Sequence, residues 1–191
     1  MKKLASLILG ASLALGSTLA TAADYVIDTK GMHAFIQFRI SHLGYSWLHG
    51  RFDDFSGEFS YDADNPGASK ASVVIKTASL DSNHAERDKH LRSDDFFDVE
   101  RYPEIRFTST RYQPDGAMQG MLYGNLTMHG VTKPVAIKVT KIGEGEDPWG
   151  GYRAGFEGTT EINRSDWGID KNLGPASEKV EITLSIEGVR K

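Results

Sequence analysis

Polar and apolar residues alternate along most of this chain, and a period of two residues describes a strand with one face buried and the other wet. The clearest run is the last, where Val180, Ile182, Leu184 and Ile186 alternate with Lys179, Glu181, Thr183, Ser185 and Glu187. Ile36, Phe38, Ile40 and His42 share a face against Gln37, Arg39 and Ser41, and Ala71, Val73, Ile75 and Thr77 do so against Ser72 and Lys76. Met118, Leu122, Leu126 and Met128 form another face, with Gly120 and Gly124 between them. Asn65-Pro66-Gly67, Asp115-Gly116, His129-Gly130, Asp147-Pro148 and Asn172-Leu173-Gly174-Pro175 are turn signals. They divide the chain into about eight long strands that begin near residues 32, 47, 70, 104, 118, 134, 153 and 178. In the second, Phe52 lies in one phase and Phe55, Gly57, Phe59 and Tyr61 in the other, so a one-residue shift at Asp53-Asp54 predicts a bulge that bends the strand. Long bent strands in even number favour an all-β fold, an extended eight-stranded antiparallel β-barrel.

One segment breaks the alternation. Ser82-Asn83-His84-Ala85-Glu86-Arg87-Asp88-Lys89-His90-Leu91-Arg92 is rich in helix formers, and Asn83 with Glu86 three residues on resembles a capping box. The expectation is a short α-helix over 83–92 in a long connection, followed by a polar turn carrying Phe96 and Phe97.

The first residues have a different character. Met1-Lys2-Lys3, an apolar run from Leu4 to Leu19 and the A-x-A pattern at Ala20-Thr21-Ala22 are the three parts of a cleavable signal peptide. The run is shorter than the roughly 20 residues that span a bilayer and is interrupted by small polar residues. No cysteine follows it to carry a lipid anchor. The reading is a signal peptide over 1–22, then a single exported domain over 23–191. Without Lys2 and Lys3 the chain carries 20 basic against 26 acidic residues, a net charge of about −6, which argues against nucleic acid or an anionic membrane surface as the main partner. The absence of cysteine excludes disulfides, thiolate metal sites and a cysteine nucleophile.

A barrel of about eight strands either fills its interior with side chains or keeps room for one small ligand. Gly120, Gly124 and Gly158 fall on inward phases beside the small Ala71 and Ala154. A glycine there fits a ligand passing close by, and it fits a bulge or tight bend equally well. Tyr45, Trp47, Phe96, Phe97, Trp149 and Trp167 cluster in or near connections. Such rings either screen an apolar entrance or plug the barrel ends.

Five ordered stretches carry a resemblance. They are His42-Leu43-Gly44-Tyr45-Ser46-Trp47 followed by Gly50-Arg51-Phe52-Asp53-Asp54-Phe55-Ser56-Gly57; the run from Asn83 to Phe97; Tyr102-Pro103; Phe107-Thr108-Ser109-Thr110; and Gly124-Asn125-Leu126-Thr127-Met128-His129-Gly130-Val131-Thr132-Lys133-Pro134. Together they resemble the YceI family of bacterial polyisoprenoid-binding proteins across essentially the whole exported chain. The resemblance implies a lipocalin-like barrel with an apolar channel, a bound polyisoprenoid or isoprenoid quinone, a periplasmic location and no required cofactor. It is compatible with a homodimer. Alternation and resemblance together nominate Phe38, Ile40, His42, Trp47, Phe52, Phe96, Phe97, Phe107, Leu126, Trp149 and Phe156 as residues of the channel or its mouth.

The reactive side chains have plainer readings beside sharper ones. His84 with Asp88 and Glu86 with His90 are spaced i, i+4, but with no H-E-x-x-H and no third ligand a solvated, salt-bridged helix is the better reading, and no metal site is expected. His42, inward and near a strand end, would meet a ligand head group or else bond a backbone carbonyl. Arg39 reads as a surface charge. No G-x-S-x-G element, phosphate loop or nucleophile with an assignable base is present, so no catalytic residue is expected. Three functions remain in view: a lipid-binding carrier, an enzyme acting on an amphiphile with His42 as base, and a ligand-free structural or stress module.

Overall fold

A computed structural model describes residues 22–191; the expected signal peptide, apart from Ala22, lies outside the described residues. The strands are β1 (Ala23–Ile27), β2 (Ala34–His42), β3 (Ser46–Phe52), β4 (Phe55–Tyr61), β5 (Lys70–Lys76), β6 (Leu80–Asp81), β7 (Glu104–Asp115), β8 (Gln119–Met128), β9 (Val131–Glu146), β10 (Tyr152–Asn163) and β11 (Lys179–Arg190), and the α-helix is α1 (Ala85–Leu91). All pairings are antiparallel. The order β1-β4-β5-β7-β8-β9-β10-β11 closes on itself through Tyr25 opposite Arg190 and Ile27 opposite Gly188. Further along β11, Ile186 to Val180 pair instead with Ala34 to Ile40 of β2, which leads on to β3 and β6. β1 with β2, β3 with β4 and β5 with β6 thus act as three bent strands, and the wall is the expected closed barrel of eight.

The bends have local causes. At Asp53-Asp54 the β3–β4 strand gains the residue predicted from the phase shift, so that Phe52 and Phe55 are both buried although they are three positions apart. The neighbouring strand breaks at the same level. The Asp53 N–H donates to Ser79 O and the Lys76 N–H to Asp54 O, while buried Thr77 donates its hydroxyl to Tyr102 O. Between β1 and β2 the chain makes an outward excursion over residues 28–33, tied back by the Asp28 N–H to Glu187 O at 2.8 Å. Strand β1 has no counterpart in the expected starts, because Ala23–Ile27 holds only five residues, two of them buried, too short a run for periodicity to register. Met118, expected on an inward face, sits exposed just before β8.

The core divides in two. The larger cluster runs from Ile27, Phe55 and Ile75 to Phe96, Met128, Trp167 and Ile169. The smaller gathers Tyr25, Tyr61 and Ala154 with Phe59, Tyr152 and Phe156 at the end of the barrel remote from α1. There Tyr25 stacks on Phe59 at 4.8 Å, and Phe59 and Tyr61 meet the edge of Phe156 at 5.5 and 5.3 Å. A ring plug therefore occupies that end.

The helix differs from its expected form. Its N-cap is His84, whose Nδ1 accepts from the Arg87 N–H at 3.2 Å; Asn83 takes a φ of 62° outside the helix and donates its N–H to Asp81. Ala85, Glu86, Lys89 and His90 are exposed, as expected of a solvated helix, but one face is turned in. Asp88 is buried and accepts from both the amide and the hydroxyl of Ser82, while Arg87 donates to Ser82 Oγ and O and Arg92 to Ala78 O. Arg87 also lines the bore, and the chain from 82 to 103 connects β6, the last strand in its order, to β7.

Candidate functional site

A cavity of about 480 Å³ follows the barrel from the α1 end almost to the ring plug. Each strand contributes its inward phase: Ile36, Phe38, Ile40 and His42 from β2, Ala71, Val73 and Ile75 from β5, Leu122, Leu126 and Met128 from β8, and Val180 to Ile186 at every second residue from β11. Its volume lies in the range of small-molecule sites, and its wall is almost wholly hydrocarbon. Across it Phe38 tilts against Phe52 at 5.8 Å, and Phe52 meets Phe97 edge-on at 5.8 Å. Phe97 and the buried Phe96 reach inward because the turn over 93–98 is closed by the Phe96 N–H to Ser93 O and the Asp98 N–H to Ser93 O.

Gly158 packs against Ile137 and Leu184, whereas Gly124, and Gly50 on β3, have a different explanation from the two expected. A Cβ on Gly124 would clash with the ring of Phe107, and one on Gly50 with the ring of Phe38, its direct cross-strand partner. The rings lie flat over bare backbone. Aromatic carbon thus covers two strands at once, and the bore keeps a width that an upright ring would have closed.

Phe38, Ile40, His42, Phe52, Phe96, Phe97, Phe107, Leu126 and Phe156 all line the cavity. Trp47 and Trp149 do not. Trp47 is out of phase with Leu48 and Phe52 and lies on the outer wall beneath the Arg39 guanidinium, 4.3 Å from the ring centroid. Arg39 in turn pairs with Glu181 at 2.6 Å. Trp149 stands in the β9–β10 turn, 78% exposed, where Asp147 accepts from the Trp149 and Gly151 amides. Trp167 is core, with its indole N–H donating to Leu126 O.

Apart from Gln37, Glu157 and Thr160, the polar groups of the wall fall at its two ends. Near α1 stand His42, Arg87, His90 and the buried Arg164. His42 lines the cavity and its side chain makes no hydrogen bond among the described residues; the histidine that bonds a backbone carbonyl is His129, to Trp167 O at 3.0 Å. His90 is held by Asp95 at 2.8 Å, and Lys171 meets the same carboxylate at 2.7 Å. Arg164 donates to Ser177 O and Ile169 O, and Glu178 at 3.6 Å balances its charge. The sequence carried a signal for Arg164 that its charge concealed: it continues the inward phase of Gly158, Thr160 and Ile162. At the other end stand Ser60, Tyr61, Ser69, Lys70 and Tyr112. Lys141 donates to Tyr61 Oη at 3.2 Å and to Glu144 at 2.6 Å. Burial pushes the Tyr112 phenol up, with Tyr61 adding to the shift.

One charged cluster lies outside the bore. Arg153 donates to Asp28 at 2.6 Å, Glu187 at 2.5 Å and Asp147 at 2.8 Å, and His33 meets Asp28 at 3.1 Å. Asp28, His33 and Glu187 are close enough together to be metal donors, yet the Arg153 guanidinium already occupies both carboxylates.

A closed antiparallel barrel of eight long strands with an apolar bore and one short helix at the seam defines a lipocalin-like barrel. Residues 25–188 match the YceI-like domain profile, and the chain belongs to that family. A UPF0312 protein of Azotobacter vinelandii is 59% identical over 189 residues, covering 99% of this chain and 98% of that protein. Among solved structures, BcnA of Burkholderia cenocepacia superposes with a TM-score of 0.76 at 22% identity, over 84% of this chain and 98% of that one. The Campylobacter jejuni YceI protein gives 0.72 at 30% identity, over 80% and 90%. A polyisoprenoid-binding domain from Saccharophagus degradans gives 0.63 at 18% identity, over 90% and 100%.

Proposed function

We propose that this protein is a periplasmic carrier that shields the tail of a polyisoprenoid or isoprenoid quinone from water. The observation that carries the reading is the bore itself, about 480 Å³ bounded by hydrocarbon along most of the barrel. Each methylene moved from water into such a wall gains roughly 0.8 kcal/mol, so a long branched tail binds tightly with few polar contacts. Phe38, Ile40, Phe52, Phe97, Phe107, Leu126 and Phe156 are the wall against which it would lie. The name of the Saccharophagus degradans domain, a polyisoprenoid-binding one, supports the ligand class. The signal-like Met1–Ala22 supports export, and none of the described helices is long and apolar enough to cross a membrane.

The test is native extraction of protein purified from the periplasm, with mass spectrometry of the lipid released. A long-chain isoprenoid in near-stoichiometric amount is expected. A protein that releases no lipid and, once stripped, takes up none would sink the reading and favour a ligand-free module. Conversion of a bound lipid to product, lost in His42→Ala while binding survives, would instead support an enzyme.

A further inference from the structure

The β2–β3 hairpin differs from the rest of the barrel surface in charge, exposure and support. Leu43, Tyr45 and Trp47 are exposed apolar side chains close together at its tip, Tyr45 at 87%. No carboxylate falls anywhere in residues 34–52, which carry Arg39, His42, His49 and Arg51, although the exported chain is acidic overall. Arg39 pairs with Glu181 of β11, and Arg51 with Asp53 and Asp81 at the end of β3 away from the tip. His42 and His49 are exposed and meet no carboxylate among the described residues. β2 pairs with β11 only as far as Ile40, and β3 with β6 only at Arg51 and Phe52, so the tip stands beyond both ladders. Its base is fixed by the Ser177 hydroxyl, which donates to Ser41 O at 2.6 Å.

The hairpin also borders the bore. His42 and His90 both line the bore and both are exposed, so it opens between the tip and α1, with Leu48 on the hairpin side and Leu91 on the helix side. Buried Asp88 apart, the rim beyond is near neutral, with Glu86, Asp94, Asp95 and Asp170 against Arg87, Lys89, Arg92 and Lys171. Trp149 and Ile142 are exposed too, but they stand at the β9–β10 turn among Glu144, Glu146 and Asp147. We infer that the β2–β3 hairpin is a membrane-docking face: Leu43, Tyr45 and Trp47 enter the head-group layer of an anionic phospholipid bilayer and bring the mouth of the bore against it. The inference rests on the carrier reading and adds the surface at which cargo is exchanged. Tyrosine and tryptophan combine an apolar body with a polar tip, which suits the boundary between head groups and acyl chains. Basic side chains beside them add attraction to anionic lipid. The net charge of the chain opposes a broad contact, which confines docking to an acid-free element. A tail that water rejects leaves the bore most readily where the mouth meets other lipid directly.

The experiment uses the stripped full-length mature protein with vesicles of phosphatidylethanolamine and phosphatidylglycerol, and with vesicles of phosphatidylcholine alone. Co-flotation reads docking, movement of ubiquinone from donor to acceptor vesicles reads exchange, and Kd for a short-tailed ubiquinone reads the bore. The double variant Leu43→Asn with Tyr45→Ser keeps a turn that accepts asparagine. It is expected to bind the anionic vesicles roughly tenfold less and to transfer ubiquinone correspondingly more slowly, with Kd within about twofold of wild type. His49→Glu should weaken docking on the anionic vesicles roughly fivefold and leave phosphatidylcholine unaffected, while Trp149→Ser should change neither. A double variant that floats and transfers as wild type does, at unchanged Kd, would overturn the docking face and leave the carrier standing. Loss of docking in Trp149→Ser instead would move the contact to the β9–β10 turn and overturn this one. Equal flotation of wild type on both kinds of vesicle would overturn the choice of an anionic surface. A wild type that does not float but sediments as a dimer, made monomeric by the double variant, would make a second copy the occupant. A wild type that takes up no ubiquinone would remove the carrier reading, and the exchange role with it, whatever the flotation.

Discussion

At the scale of the residue, the charges that matter most are those turned inward or shared. The Arg153 hydrogen bond to Asp28, with help from His33 and the Gly31 amide, lowers the Asp28 carboxyl from the usual 3.8 to about 2. The ionised form is the one the fold stabilises. Its contribution is therefore fully present above pH 3.8 and is lost as the pH falls through about 2. Wild-type stability should decline across that window in denaturant titrations, and the Asp28→Asn variant should show a shallower decline. Arg153 itself is raised by the same three carboxylates and stays charged throughout. Arg153→Met leaves them uncompensated, at a cost of about 1–2 kcal/mol, toward the low side for an ion pair because the site is partly hydrated. Acidification should recover part of that loss in the variant, opposite in sign to the wild type. Asp88 follows similar logic at the seam. Burial raises its carboxyl, but the Ser82 hydroxyl and amide with Arg92 and Arg87 outweigh it and leave the group below the usual range.

At the scale of the element, turns and strand faces show where local preference yields to packing. The turn from His42 to Tyr45, closed by the Tyr45 N–H to His42 O, sets Leu43 at φ 54° and Gly44 at φ 81°. Both values suit a type I′ turn, which favours Asn or Asp before Gly. Leucine resists this backbone, so Leu43→Asn should stabilise the protein by about 1 kcal/mol, read as a raised midpoint in chemical denaturation. The Gly124 position behaves oppositely. Gly124→Ala puts a methyl where the Phe107 ring lies, and an overpacked site of this kind costs about 1–3 kcal/mol. The displaced ring would also narrow the bore, so the same variant should hold less lipid per mole of protein.

At the scale of the molecule, the closed ladder and the cavity are one object, because closing the sheet leaves inward side chains facing each other across a gap they do not fill. Leu184→Trp, in the middle of β11, should cut lipid uptake by more than tenfold, since it competes for the volume that a tail would occupy, at a stability cost of about 1–3 kcal/mol. Lipid should in turn raise the melting midpoint of the stripped wild type, by about 2.7 kcal/mol of added stability at 100 times Kd, and leave Leu184→Trp unmoved. Much of this architecture is legible in the chain. Alternation is a local property, since every second side chain of a strand faces the same way whatever the strand pairs with. The inward sets of β2, β5, β8 and β11, and the bulge between Phe52 and Phe55, could therefore be read before any register was known. Phase alone also separates Trp47 from Leu48 and places Arg164 with Ile162, although hydrophobicity and charge suggest otherwise. Cross-strand register decided the rest. It lays Phe107 over Gly124 and Phe38 over Gly50, brings Asp28 and Glu187 to the Arg153 guanidinium and leaves Ser69 Oγ without a partner among the described residues. Those contacts join residues that no local pattern relates. A repeat of two sets the direction of each side chain along its own strand, and only the pairing of strands far apart in sequence sets what it meets.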